Sequence, residues 1–230
     1  MEAISQEFDF EPVKVKVWGD MACFTRPDMK AERMSYRVMT PSAARGILSA
    51  IFWKPEFNWI IRRIKVLNPI RHISIRRNEV TSKISPKSVN GWRENNQHER
   101  FFSDDTSKNR TQRNTLALKD VAYIIEANIY LKDHAKNEHP AKFRDQFRRR
   151  VSQGRCYTRP YLGCREFSAF FDDPNDEKPI DLTDELGRML FDLNYQNEER
   201  KNPIFFNARL DNGVLEVPIE KYENVWGINI

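Results

Sequence analysis

Glycine is scarce in this chain, with eight among 230 residues, about half the usual share of roughly 7%. Neither GxGxxG nor the P-loop pattern GxxxxGK followed by Ser or Thr occurs, so no glycine loop cradles a nucleotide phosphate. HExxH and GxSxG are missing too, and no cysteine has a clear histidine partner, which removes metalloprotease and triad-hydrolase readings. The three cysteines, Cys23, Cys156 and Cys164, are odd in number and lack zinc-site spacing. They are expected to be free thiols in a reducing cytoplasm. No apolar run approaches the roughly 18 residues of a membrane span, and MEAISQEFDFEPVKV is acidic where a signal peptide is basic. The expected location is cytoplasmic, with no membrane partner. Asp104-Asp105 and Asp172-Asp173 are neighbours in turn-like sequence and do not supply the convergent oxygens of a divalent site, so no metal is expected.

What the chain does have is positive charge, unevenly placed. The net charge is +5, but from Phe171 onward six Lys or Arg face fourteen Asp or Glu, a balance of −8 that leaves +13 on the first 170 residues. Such asymmetry points to a nucleic-acid-binding body followed by an acidic region.

Val13 to Trp18 (VKVKVW) alternates apolar and basic residues and predicts a half-buried strand. Thr40 and Pro41 supply an N-cap and first helical position, and Ala44, Ile47, Leu48 and Ile51 follow at helical spacing, predicting a helix that ends near Trp53. Strands are expected at 59–67 and 70–80, and at 116–131 in two pieces meeting near Lys119 and Asp120. The polar stretch 81–114, with Lys83, Lys87, Arg93, Arg100, Lys108, Arg110 and Arg113, reads as a long inserted loop able to order on nucleic acid. A final strand of the body is expected at 161–171. Beyond it, runs at 186–193, 204–210 and 214–217, with Asp211-Asn212-Gly213 as a hairpin turn, predict a small antiparallel sheet. The fold class is α+β, an RRM-like (ferredoxin-like) domain over 1–171 with extra strands, and a small acidic C-terminal antiparallel β-sheet over 172–230.

The densest chemistry lies in PAKFRDQFRRRVSQGRCYTRPYLGCREF, Pro140 to Phe167. Pro140 marks a helix start with His139 as N-cap, and Phe143, Phe147 and Val151 form its buried stripe. Lys142, in the first turn, stands beside free backbone N–H groups and the positive end of the helix dipole, a setting that attracts phosphate. Arg144, Arg148, Arg149, Arg150, Arg155 and Arg159 are candidate RNA contacts, as are Arg45 on the first helix and Arg76 and Arg77 on a strand. They cannot all face one ligand, because consecutive helical residues are about 100° apart.

TPSAARGILSAIFWKP (40–55), KVLNPI (65–70), TLALKDVAYIIEA (115–127), RRRVSQGRCYTRPYLGCREF (148–167) and GDMACFTRPDMK (19–30) together resemble the RAMP-type Cas protein of subtype I-C (Dvulg) CRISPR systems. The likeness spans roughly residues 13–171. It implies an RRM-like fold and metal-independent cleavage of precursor CRISPR RNA with no cofactor. The 2′-hydroxyl upstream of the cut attacks phosphorus, leaving a 2′,3′-cyclic phosphate and a 5′-hydroxyl. It implies CRISPR repeat RNA, precursor and mature guide, as ligand, and the other subunits of a type I-C effector complex as partners for a protein that is monomeric alone. The family's Tyr falls on Phe52 and its Lys-His pair on Lys142 and Phe143. Only the lysine is kept, since a phenyl ring moves no proton. His139 is the candidate replacement imidazole, and Tyr36 or Tyr157 the replacement hydroxyl. A non-catalytic subunit that caps guide RNA is the alternative, and duplex-DNA binding is remoter because no helix-turn-helix pattern is present.

Overall fold

The computed structural model describes residues 11–29, 31–81, 85–94, 110–196 and 201–228. Lys30, Lys83, Arg100, Lys108 and the Asp104-Asp105 pair lie outside the described residues. The chain runs β1 (Val13–Ala22), β2 (Arg33–Met34), α1 (Pro41–Ile51), β3 (Phe57–Val66), β4 (Arg71–Val80), α2 (Pro86–Glu94), β5 (Arg110–Leu131), α3 (Pro140–Ser152), β6 (Phe170–Asp172), β7 (Asp184–Leu193), β8 (Pro203–Asp211), β9 (Val214–Glu216) and α4 (Tyr222–Trp226).

Local rules place most of these elements. Val13, Val15 and Val17 are buried on one side of β1 while Lys14 is exposed on the other, as the period of two requires. Thr40 caps α1, its Oγ1 accepting the Ala43 N–H at 3.3 Å, and Pro41 occupies the first turn where its missing N–H costs nothing. The helix stops at Ile51, not Trp53, because Phe52 is already extended at φ −148°. The turn between β8 and β9 has Asn212 at φ 48° and Gly213 at φ 75°, the two positive angles of a tight hairpin.

Three expectations are revised. The stretch 116–131 is not two strands: β5 is one strand of 22 residues, turned at Asp120, whose φ is 51°. The polar stretch 81–114 is not a structureless loop. Residues 86–94 form α2, and 110–114 extend β5 along β4, the ladder running from Arg71↔Lys119 to Val80↔Arg110. The body's last strand is only Phe170–Asp172. Residues before it fold back over the end of β1, where a Cβ on Gly163 would meet the Cys23 carbonyl oxygen at 2.1 Å, a closeness only glycine permits.

The described strands form one nine-stranded sheet with the order β6-β1-β5-β3-β9-β8-β7, while β2 and β4 pair with β5 off this path. The pairings are antiparallel except that of β2 with β5. The acidic C-terminal strands continue the sheet through β9 and β3, and Phe191, Phe206, Leu215 and Tyr222 share one core with the first half. Helices α1 and α3 cover one face, their junction filled by an aromatic chain. Phe52 meets Phe57 (centroids 5.7 Å), Phe57 meets Phe143 (5.3 Å) and Trp59 meets Phe147 (4.9 Å). Truncating any of these phenyl groups to alanine is worth about 3–5 kcal/mol, so this cluster sets the position of α3. Among the described residues no helix is long and apolar enough to cross a membrane.

Candidate nucleic-acid interface

The first turn of α3 brings His139 and Lys142 together on an exposed corner. His139 has extended backbone, and its Nδ1 accepts the Ala141 N–H at 3.3 Å, satisfying one of the orphan donors of the helix start. An accepting Nδ1 places the proton of the neutral ring on Nε2. Lys142 follows as the third helical residue. Its Nζ lies 2.8 Å from Glu138 Oε2, with half of the lysine side chain in solvent, and 5.4 Å from the Phe143 ring centroid. A pair so exposed, four residues apart, is worth only about 0.3–0.5 kcal/mol, which a phosphate overcomes readily.

Phe52 and Phe143 are both 2% exposed. They are interior packing, as expected for Phe143, and carry no chemistry. Of the two hydroxyls considered in place of the family's tyrosine, Tyr36 is excluded. It is buried, its oxygen accepts the Leu190 N–H at 3.1 Å, and burial raises its pKa. Tyr157 is 73% exposed, but it belongs to a different place. Its N–H donates to the carbonyls of Ala50 at 2.9 Å and Ile51 at 3.2 Å, and the Thr158 N–H to Ala50 at 3.0 Å. The loop thereby caps the C-terminal end of α1, next to Phe52, over whose ring Arg150 lies at 5.5 Å. Residues 142 and 150 are eight apart on α3, about 12 Å at 1.5 Å per residue. Lys142 and the Tyr157 loop therefore mark two points on a path rather than one phosphate site.

The arginines divide into structural and free groups. Arg45 is corrected from the RNA-binding set. Its Nε and Nη2 meet Asp192 at 2.6 and 3.0 Å, and Nη2 meets the Tyr195 hydroxyl at 2.9 Å. Burial alone would lower its pKa, but the buried Asp192 carboxylate outweighs that and raises it. Nothing in the local sequence around Arg45 signals a partner 147 positions away. Arg77 is likewise held, by Glu166 and by Glu79 at 3.7 Å. Arg144 pairs with Asp145 at 3.1 Å. Arg76 points to the opposite side of β4 from Arg77 and is exposed, as are Arg148, Arg149, Arg155 and Arg159. Arg148 and Arg149 line a shallow depression with Lys14, Ser152 and Asp173. Trp53, 54% exposed, and Tyr161, 41% exposed, were not singled out by sequence. They stand near the loop of Arg155 and Arg159, and aromatics interleaved with arginines form a stacking surface for single-stranded bases. Among the described residues no group of three His, Cys, Asp or Glu side chains could hold a metal ion.

Residues 13–218 match the family model Cas_Cas5d, described as CRISPR-associated protein (Cas_Cas5). The chain is 44% identical over 232 residues to a protein of Thermus thermophilus named CRISPR pre-crRNA endoribonuclease Cas5d, covering 93% of this chain and 94% of that one. A protein of the same name from Mannheimia succiniciproducens is 46% identical over 218 residues, covering 90% and 94%. Two solved structures share the fold. One titled as a CRISPR-associated protein has a TM-score of 0.63 at 23% identity, covering 91% of this chain and 93% of its own. The other, a chain of a CRISPR RNA-guided surveillance complex, has a TM-score of 0.51 at 11% identity, covering 90% and 91%.

Proposed function

The chain belongs to the Cas5 family of CRISPR-associated proteins, and we propose that it is an endoribonuclease of precursor CRISPR RNA that stays with its product inside an effector complex. The observation that carries this reading is identity of 44–46% over nine-tenths of the chain to two proteins named for that activity. The path β1-α1-β3-β5-α3-β6, with strands lying in the order β6-β1-β5-β3, supports assignment of the body to the ferredoxin-like layout of RRM domains. The protein works in the cytoplasm and is monomeric until it joins its partners. Those partners are repeat RNA and the other subunits of a type I-C complex.

The corner at the start of α3 suits cleavage by internal transfer. The ribose 2′-oxygen attacks the adjacent phosphorus, and the bond to the 5′-oxygen breaks. Lys142 releases Glu138 and neutralises the charge that builds on the non-bridging oxygens. The neutral His139 ring hydrogen-bonds the leaving 5′-oxygen through its Nε2–H, and water supplies the proton that this oxygen takes up. Glu138, the carboxylate beside Lys142, accepts the 2′-hydroxyl proton. The exposed arginines of α3 and the 155–159 loop hold the flanking strand.

Incubation with a repeat-hairpin RNA in excess EDTA should give one cut, with a 2′,3′-cyclic phosphate on the upstream fragment and a 5′-hydroxyl on the other. RNA that is bound tightly yet stays intact at high enzyme excess would instead identify a guide-capping subunit. The burial of Phe52 and Phe143 is the feature that favours that second reading.

A further inference from the structure

An open cleft of about 560 Å³ lies beside the turn that leads into α3, lined by Asn58, Tyr130, Lys132, Asp133, His134, Tyr195 and Trp226, with Arg45 in its wall. Its size lies in the range of small-ligand sites. Asn58 and Tyr130 are cross-strand partners of β3 and β5. They therefore project from the same face of the sheet, the face opposite the one on which Phe57 and Trp59 meet α3. The Tyr195 ring lies 5.2 Å, and the Trp226 ring 5.9 Å, from the Arg45 guanidinium, so Arg45 and Asp192 fix the two aromatic walls without adding net charge. Lys132 and Lys201, whose Nζ is 5.1 Å from the Tyr195 ring, stand at the rim with Asp133, and the Asp133 carboxylate is already paired with Lys136 at 2.9 Å, so the two lysines are left for an anion.

We propose that this cavity receives one unstacked nucleotide of the bound RNA. The inference rests on the reading of the chain as an RNA-cutting protein and names a second point at which that RNA is held. Tyr130 supplies a ring face for a base, beside Tyr195 and Trp226, whose rings are held by Arg45 and, for Trp226, by stacking on Tyr222 at 5.0 Å. The Asn58 side-chain amide offers both donor and acceptor to a base edge. Lys132 and His134 meet the attached phosphate. The connection to the cutting corner is short and tight. The Ala135 N–H donates to the Lys132 carbonyl, Glu138 to Ala135, and Lys142 to His139, so a continuous series of turns carries the chain from the cavity rim to Lys142. A strand whose scissile phosphate sits at Lys142 can thus place a nearby nucleotide in the cavity.

The test uses the full chain and repeat RNA carrying 5-iodouridine at successive positions around the cut, with photo-crosslinks mapped by peptide mass spectrometry. One position should give adducts on Tyr130, Tyr195 or Trp226. Tyr130→Ala should weaken RNA binding by about 5- to 100-fold, the range for loss of one stacked base. Because Tyr130→Ala could disturb the sheet, a Lys132→Ala/His134→Ala variant on the rim is measured beside it. That variant should keep the wild-type melting temperature and weaken binding at least threefold. Wild-type protein that cuts the RNA, gives crosslinks only along α3 and is unaffected by the rim variant overturns the cavity's role while leaving the cleavage reading intact. Crosslinks from cavity residues to another subunit in the assembled complex, in place of RNA, would overturn it as well and assign the cavity to a protein segment. Wild-type protein that neither binds nor cuts the RNA overturns both.

Discussion

In the proposed mechanism Lys142 stabilises charge while its neighbour Phe143 is interior packing, and each assignment can be tested alone. Lys142→Ala should slow cleavage by about 10²-fold or more, the loss typical of one electrostatic stabiliser, while RNA affinity falls only by about the fivefold of one phosphate contact at 0.1 M salt. Phe143→His does not restore the family's imidazole. The ring lies in the aromatic core against Phe57, so a buried, unpaired imidazole costs about 2–4 kcal/mol in a melting experiment, with no gain in rate. His139 needs a variant that separates capping from chemistry. His139→Asn keeps one of the best N-caps, so the melting temperature should hold while cleavage falls, whereas a purely structural His139 leaves the rate unchanged. A further residue-scale effect concerns the neighbours Cys23 and Cys164. A hydrogen bond from the Cys23 thiol lowers the Cys164 pKa to about 6 against burial and Glu166, with help from Arg33 and Thr25, while Cys23 itself is held protonated. A depressed acid pKa contributes stability above the unfolded value, near 9.0, and loses it as pH falls through about 6. The melting-temperature advantage of wild type over Cys164→Ser should therefore grow from pH 5.5 to pH 8.5, and a constant difference would show that the thiolate contributes nothing.

Elements were legible in the sequence where their signals are local. The cap at Thr40, the alternation in β1 and the Asn212-Gly213 turn each depend on a few neighbouring residues, and each is found. The start of α3 was readable for the same reason, since His139, Pro140 and the Phe143, Phe147, Val151 stripe lie within one short segment. Long-range pairing was not readable. A non-glycine residue at positive φ is uncommon, so Asp120 looked like the end of a strand when it is a turn within one. Gly163 is conformationally demanded by the Cys23 backbone, 140 positions earlier, which no pattern near 163 reveals. Arg45 is the clearest case at the candidate site, because its position on the polar side of α1 suited RNA until Asp192 on β7 was placed beside it. The same pair ties α1 to the C-terminal strands. Asp192→Ala leaves a guanidinium without its carboxylate, a loss of roughly 3–5 kcal/mol when fully buried. With 21% of the Arg45 side chain in solvent, the expected loss in urea unfolding is nearer 2–3 kcal/mol by the same reasoning. Arg45→Met with Asp192→Leu should recover much of it, since an apolar replacement of both partners removes the stranded charge.

For the whole molecule, the split of +13 against −8 acquires a second meaning. Among the described residues four ion pairs join the acidic final quarter to the basic body: Lys16 to Glu177, Arg37 to Asp184, Arg45 to Asp192 and Arg63 to Glu216. The acidic region is therefore part of the fold's own charge complement, joined along the sheet, and the cations it holds are withdrawn from any ligand. Among the cations left over, those of α3 and the loop after it form the densest group. If Lys142, Arg148, Arg149, Arg150, Arg155 and Arg159 each neutralise one phosphate, log affinity for a single-stranded repeat falls against log salt with a slope of about −4, from roughly 0.7 per contact. Raising salt from 50 to 200 mM should then weaken binding by on the order of 10²-fold. Arg149→Ala or Arg155→Ala should each flatten the slope by about 0.7, whereas Arg45→Met/Asp192→Leu, which removes a cation already neutralised within the protein, should leave the slope as it was. Equal flattening by all three variants would mean that RNA competes successfully for the cations of the fold, and that the acidic quarter acts as a displaceable screen over the binding face.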